Sequence, residues 1–160
     1  MIVLKPVSKE RIWGTPRLHQ YSGDSHIDRI GSVYSVSGIE ALSNEILAGD
    51  EHRTLYEAVK AAPEKFGITA GFDYPIIISF TSADENLSIQ VHPTDEYAIT
   101  HENALYGKSE SWYFIEPPSE GWIYADSLIE DKREIKRSIL NGDYERVVGK
   151  IIVSKDDVVY

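Results

Sequence analysis

Hydrophobic and polar residues alternate along much of the second half of the chain, with the period of two that is typical of a half-buried β-strand. The segments "LSIQVH" (87–92) and "KSESWYFIE" (108–116) alternate in this way. "YPIIISF" (74–80) is a continuous apolar run, which predicts a strand that is buried on both faces. "GWIYAD" (121–126) and "GKIIVSKDDVVY" (149–160) add further short strands. The pattern therefore predicts a mainly β fold, a sandwich or a small barrel.

Three stretches carry helix signals between these strands. Thr54 followed by Glu57 forms a capping box, which predicts a helix near 54–66. A short helix is predicted to begin at Thr94, because acidic residues fill its first turn. A third helix is predicted near 130–140, with Gly142 as its C-terminal stop. The helices are short inserts in a β framework.

Length, composition and charge exclude several classes of protein. The chain has 160 residues, enough for a single domain over 1–160 with its own core. Its net charge of −10 argues against a nucleic-acid partner, because a polyanion needs a clustered basic surface. Without cysteine it has neither disulfides nor thiolate metal ligands. We see no apolar run long enough for a membrane span and no signal peptide, so we expect no membrane association and a cytoplasmic location.

Candidate chemistry comes from the two alternating strands. Alternation places Gln90 and His92 on one strand face, and Lys108 and Glu110 on one face of the other strand. If the two strands pack across a barrel interior, Gln90, His92 and Glu110 converge. Imidazole, carboxylate and amide donors suit Zn²⁺, and suit Mn²⁺ or Fe²⁺ less well. The alternative is that Gln90 and His92 form an ordinary hydrogen-bonded core pair or an exposed strand face.

The same residues carry a family resemblance. "LSIQVHPTDEYA" followed by "GKSESWYFIE" resembles the paired Q-V-H-P and GK-[ST]-E segments of the type I mannose-6-phosphate isomerases. "KPVSKERIWG" near the start resembles the opening of that family, and the stretch from "ILNGDY" to Tyr160 resembles the approach to a later P-[SA]-G-x-x-H segment. The resemblance is dense over 84–116 and thin over 15–75.

The resemblance implies a fold, an activity and a set of site residues. Members of the family have a cupin fold, a double-stranded β-helix, and use zinc to interconvert mannose 6-phosphate and fructose 6-phosphate. By resemblance, Gln90, His92 and Glu110 are ligands of one zinc ion. Lys108 is an active-site residue that we expect to be catalytic and substrate-binding, and Arg11 and Trp13 are expected to bind substrate, a phosphorylated hexose.

The departures from the family pattern leave other hypotheses open. The fourth metal ligand and the catalytic arginine of the family would both follow Tyr160, so we expect a fold that is incomplete at its C-terminus and negligible turnover by this chain alone. The alternative function is a non-catalytic cupin module that binds metal or sugar phosphate, or an inactive fragment. We also expect a homo-oligomer, formed through an exposed edge of the C-terminal strand.

Overall fold

The computed structural model describes residues 1–22, 24 and 26–160, and the chain divides into two compact units. Unit 1 comprises Met1–Ile89 and unit 2 comprises Gln90–Tyr160. Each unit has its own strands, helices and buried residues. That residues 1–160 form one cupin-like domain stays a prediction.

Unit 1 is built on antiparallel β-ladders. Its strands are β1 (Val3–Lys5), β2 (Val7–Thr15), β3 (Ile30–Val36), β4 (Glu45–Ala48) and β5 (Ile78–Thr81). β3 lies between β2 and β5 in a three-stranded sheet, and β1 pairs with β4. The register of β2 against β3 shifts at Glu10 and again before Thr15, so the second half of β2 is irregularly paired with its neighbour.

The hydrophobic core of unit 1 lies on β3. Ile30 and Val33 are fully buried and form a cluster with Leu18, against which Ile27 and Phe80 pack. All four residues 30–33 of β3 are buried, as expected for the central strand of a sheet that is covered on both faces. Removing these apolar side chains from water stabilises the sheet that carries β2.

A buried asparagine connects separate parts of unit 1. The Asn44 side chain is fully buried, and its Nδ2 atom donates hydrogen bonds of 2.9 Å to the carbonyl oxygens of Lys5 and Tyr34. Its Oδ1 atom accepts a hydrogen bond of 2.5 Å from the backbone N–H of Ser37. One side chain thus forms hydrogen bonds with three backbone groups from separate parts of the chain.

Of the two α-helices described in unit 1, the sequence predicts the second, which begins as expected but ends at Ala61 rather than near 66. The helices are α1 (His19–Ser22) and α2 (Leu55–Ala61). Thr54 accepts a hydrogen bond from the Glu57 N–H at 3.2 Å, and the Glu57 carboxylate accepts one from the Thr54 N–H at 3.1 Å. This confirms the capping box. Pro63 opens a short 3-10 turn directly after α2, which ends the α-helix because proline has no N–H to donate.

Unit 2 combines two antiparallel strand pairs with two helices. Its elements are α3 (Asp95–His101), β6 (Trp112–Tyr113), β7 (Trp122–Ser127), α4 (Lys132–Leu140), β8 (Val148–Ile152) and β9 (Val158–Val159). β6 pairs with β9, and β7 pairs with β8. Thr94 caps α3, and Gly142, with a φ of 73°, follows the end of α4, so both predicted helix signals are confirmed.

Three predicted strands are wrong or only partly correct, and of the predicted strand 108–116 only Trp112–Tyr113 forms one. Among the described residues, 86–94 contain no strand, although 87–92 alternate, and Val91 is 93% exposed. In the run 74–80 the strand begins only at Ile78, and Ile76 and Ile77 are exposed rather than buried. Alternation predicts which side chains share a face, but a strand also needs a neighbouring backbone to pair with.

Candidate metal and substrate site

Hydrogen bonds join the loop that follows α3 to the start of the same helix. The Lys108 N–H donates to the Pro93 carbonyl at 3.1 Å, and the Gly107 N–H donates to Asp95 Oδ1 at 2.8 Å. A Cβ atom on Gly107 would lie 2.2 Å from the Pro93 oxygen, so only glycine allows this close approach. These contacts bring the backbone of Lys108 alongside the residues that directly follow His92.

Three predicted site residues meet at one point. Lys108 Nζ lies 2.6 Å from Glu110 Oε2 and 3.1 Å from His92 Nε2. His92 Nε2 and Glu110 Oε2 are themselves 3.5 Å apart. About a third of the His92 and Glu110 side chains is exposed, and half of the Lys108 side chain. The structure therefore places an imidazole nitrogen, a carboxylate and an ammonium group together in a site that solvent can reach.

The environment of Glu110 keeps its carboxylate ionised. Partial burial raises its pKa, but the hydrogen bonds from Lys108 and Trp112 and the positive charge of Lys108 outweigh burial, so the pKa is lowered overall. The Trp112 indole N–H donates to Glu110 Oε1 at 2.5 Å. One carboxylate oxygen is thus held by Trp112, and the other faces His92 and Lys108.

Trp112 and Asp95 also belong to this site, and the sequence analysis assigned neither of them a role in it. Trp112 fixes the orientation of the Glu110 carboxylate, and Asp95 fixes the loop that carries Lys108. A signal for Trp112 exists, because a residue two positions after Glu110 lies on the same face of an extended chain. No comparable signal marks Asp95, whose partner is 12 residues away along the chain.

The donor pair has the separation that a metal ion requires. Two ligands at about 2.0–2.2 Å from one tetrahedral zinc ion lie roughly 3.3–3.6 Å apart, and His92 Nε2 and Glu110 Oε2 are separated by 3.5 Å. Within the described residues, no group of three or more His, Cys, Asp and Glu side chains is suitably placed for a metal. Among the described residues, a third protein ligand would be of another type, such as an amide oxygen. That Gln90, which is exposed, supplies it stays a prediction.

The other two predicted substrate residues lie on β2 in unit 1. A Cβ atom on Gly31 of β3 would lie 2.4 Å from Arg11 Cγ and 2.7 Å from Trp13 Cζ3, so both side chains cover this glycine. Arg11 is exposed and Trp13 is half-buried. A surface pocket of unit 1 is lined by Glu10, Arg11, Ile12 and Arg29. That Arg11 and Trp13 bind substrate stays a prediction.

Comparisons with known proteins point to one group of relatives. The chain is 34% identical over 164 residues to the probable mannose-6-phosphate isomerase GmuF of Bacillus subtilis (strain 168), and 31% identical over 163 residues to mannose-6-phosphate isomerase ManA of the same strain. Each alignment covers 99% of this chain and 51% of the relative. No protein-family model matches the chain.

The fold is also that of a solved structure. The crystal structure of the mannose 6-phosphate isomerase from Bacillus subtilis matches with a TM-score of 0.89 at 30% identity, over 99% of this chain and 51% of that one. The match confirms the predicted mainly β, cupin-like fold class. The chain spans about half the length of the curated relatives it matches.

Proposed function

We propose, from the premise that the chain belongs to the mannose-6-phosphate isomerase family, that it carries part of the active site of an aldose–ketose isomerase. The substrates would be mannose 6-phosphate and fructose 6-phosphate. The observation that carries the proposal is the convergence of His92 Nε2 and Glu110 Oε2 on one point, with Lys108 beside them. These residues lie in the two segments, Q-V-H-P and GK-[ST]-E, on which the family resemblance is densest.

His92 and Glu110 would hold a divalent ion, with Gln90 as a further ligand and zinc as the ion that the resemblance implies. The ion would polarise the carbonyl group of the sugar. The fit rests on the 3.5 Å separation of the two donor atoms and on the ionised state of Glu110. Trp112 supports this role, because its hydrogen bond leaves the other Glu110 oxygen to face His92.

Lys108 would supply the positive charge that a phosphorylated sugar requires. Isomerisation moves a proton between C1 and C2 of the sugar, and negative charge develops on the adjacent oxygens. An ammonium group near the ligands can stabilise that charge or bind the phosphate group. Arg11 and Trp13 are proposed as further substrate contacts, on the resemblance and on the exposure of Arg11.

The test measures metal binding and turnover on the same preparations of the full chain. Titration with Co²⁺ should show saturable binding, and His92→Ala should weaken it by tenfold or more because an imidazole donor is lost. The matched control is His101→Ala on α3, which should leave the Co²⁺ affinity unchanged. Equal loss in both variants would contradict the metal centre.

Turnover separates the isomerase from the alternative function. Interconversion of mannose 6-phosphate and fructose 6-phosphate in a coupled assay, lost in His92→Ala and retained in His101→Ala, would support the isomerase. Because negligible turnover is expected of this chain alone, binding of Co²⁺ and mannose 6-phosphate with no interconversion is compatible with both functions, and interconversion is the result that decides for the isomerase.

A further inference from the structure

The Lys108 ammonium lies at the place where a bound cation would have to interact with the ligands. It is 2.6 Å from Glu110 Oε2 and 3.1 Å from His92 Nε2. An ammonium group has only donors, so each partner atom can bond to Nζ only through a lone pair, which for His92 requires the tautomer with an unprotonated Nε2. These are the same lone pairs that a metal ion would need, because each donor atom coordinates through the electron pair that here accepts a hydrogen bond.

Resting on the proposed function, we infer that Lys108 is a built-in competitor of the metal ion, and that metal binding and the present position of its ammonium exclude each other. In its present position Lys108 neutralises Glu110, whose Oε2 atom lies 3.5 Å from His92 Nε2. An ion that binds these donors displaces Nζ from both. The displaced ammonium is then available for an anionic substrate, so metal loading prepares the substrate site.

Charge and exposure both favour this exchange over joint occupancy. Two cations that share one carboxylate oxygen repel each other, and only one of the three groups in the cluster is negative. The Lys108 side chain is half exposed, so its flexible stem can carry Nζ into solvent without unfolding the loop. The hydrogen bond from the Lys108 N–H to the Pro93 carbonyl involves only backbone atoms, so such a movement need not break it.

The first experiment compares Co²⁺ affinity between the unaltered chain and Lys108→Met. Removing the competitor should tighten Co²⁺ binding by about fivefold, the upper end of what a partly exposed charge pair contributes. Lys150→Met is the matched control, because it removes the same charge from the same unit at a site where Lys150 contacts the rings of Trp122 and Tyr124. The Lys150→Met variant should bind Co²⁺ with an affinity within about twofold of that of the unaltered chain.

The second experiment follows the reactivity of Lys108 itself. Acetylation of each lysine, measured by mass spectrometry, should be slow at Lys108 in the metal-free chain. It should accelerate severalfold when Zn²⁺ is added. Lys150 should react at the same rate with and without Zn²⁺. In Glu110→Gln, Lys108 should react quickly in both states, because its strongest partner is lost.

The outcomes distinguish this inference from the proposed function. If His92→Ala weakens Co²⁺ binding while Lys108→Met leaves it unchanged or weakens it, the competition is overturned and the metal centre stands. Unchanged Lys108 acetylation at saturating Zn²⁺ would also overturn it. If neither the unaltered chain nor Lys108→Met binds Co²⁺, the metal centre and the competition both fail. Binding by Lys108→Met alone would support the inference most strongly.

Discussion

At the scale of single residues, the side chains that contribute most to the fold and to the site are polar groups with several hydrogen-bonding or ionic partners. Glu110 is contacted by Lys108 and Trp112 and lies next to His92. Asn44 forms hydrogen bonds with three backbone groups inside unit 1. Burying a polar side chain costs little free energy when its hydrogen bonds are formed, and much more when it is left unpaired.

We predict that Asn44→Leu destabilises the protein by about 2–4 kcal/mol, because leucine cannot form the three hydrogen bonds of the buried Asn44 side chain and leaves the buried Ser37 N–H without that acceptor. Chemical denaturation, which gives the free energy of unfolding, is the measurement. Asn86→Ala is the control, since Asn86 is exposed and its loss should change the free energy of unfolding by less than about 0.5 kcal/mol. A similar, small change in both variants would show that Asn44 does not connect the strands as described.

At the scale of elements, helix ends are set locally and strand pairs are not. The capping box of α2 involves residues only three positions apart. The β6–β9 ladder joins Trp112 to Val159 and Tyr113 to Val158, more than 40 residues apart. The site follows the second pattern, because its geometry depends on the loop contacts that join Gly107 to Asp95 and Lys108 to Pro93.

Thr54→Ala should lower the free energy of unfolding by about 1 kcal/mol, because the N–H of Glu57 loses its side-chain acceptor. Urea denaturation measures the change. Thr69→Ala, at an exposed threonine outside the helices, is the matched control and should have a much smaller effect. If Thr54→Ser is also destabilised as strongly as Thr54→Ala, the hydroxyl is not the group responsible, since serine retains it.

At the scale of the whole molecule, strands with exposed apolar side chains are the feature that bears on self-association. In the part of the chain that the structure describes, β6 and β9 pair only with each other, and Tyr113 and Val158 are 59% and 65% exposed. Unpaired strand edges with apolar side chains favour pairing with another chain.

Across the described residues, none of the helices has both the length and the apolar character to cross a membrane.

We therefore predict self-association through β6 and β9. Light scattering should show a dimer or a larger assembly at high protein concentration, and Val158→Lys should shift the population toward the monomer by placing a charge on the edge. Leu140→Lys, at an exposed position of α4, is the control and should leave the assembly unchanged. A monomer at every concentration would contradict the prediction, and an equal effect of both variants would show that this edge is not the contact.

The sequence by itself determined the features that depend on neighbouring residues or on residue type. Thr54 and Glu57 fix the start of α2, Thr94 fixes the start of α3, and Gly142 allows the turn after α4. The absence of cysteine and the net charge of −10 restrict the possible chemistry without any structure. The spacing of Lys108 and Glu110 also placed them on one face.

Only the tertiary structure decided what depends on groups distant in the chain. It showed that His92, 16 residues before Lys108, meets that lysine and Glu110, and that Trp112 holds the carboxylate. It also showed that the alternating residues 87–92 form no strand among the described residues. The physical reason is the same in each case: a local pattern fixes the direction of a side chain, whereas a partner for it, or for a backbone N–H, is supplied by the fold.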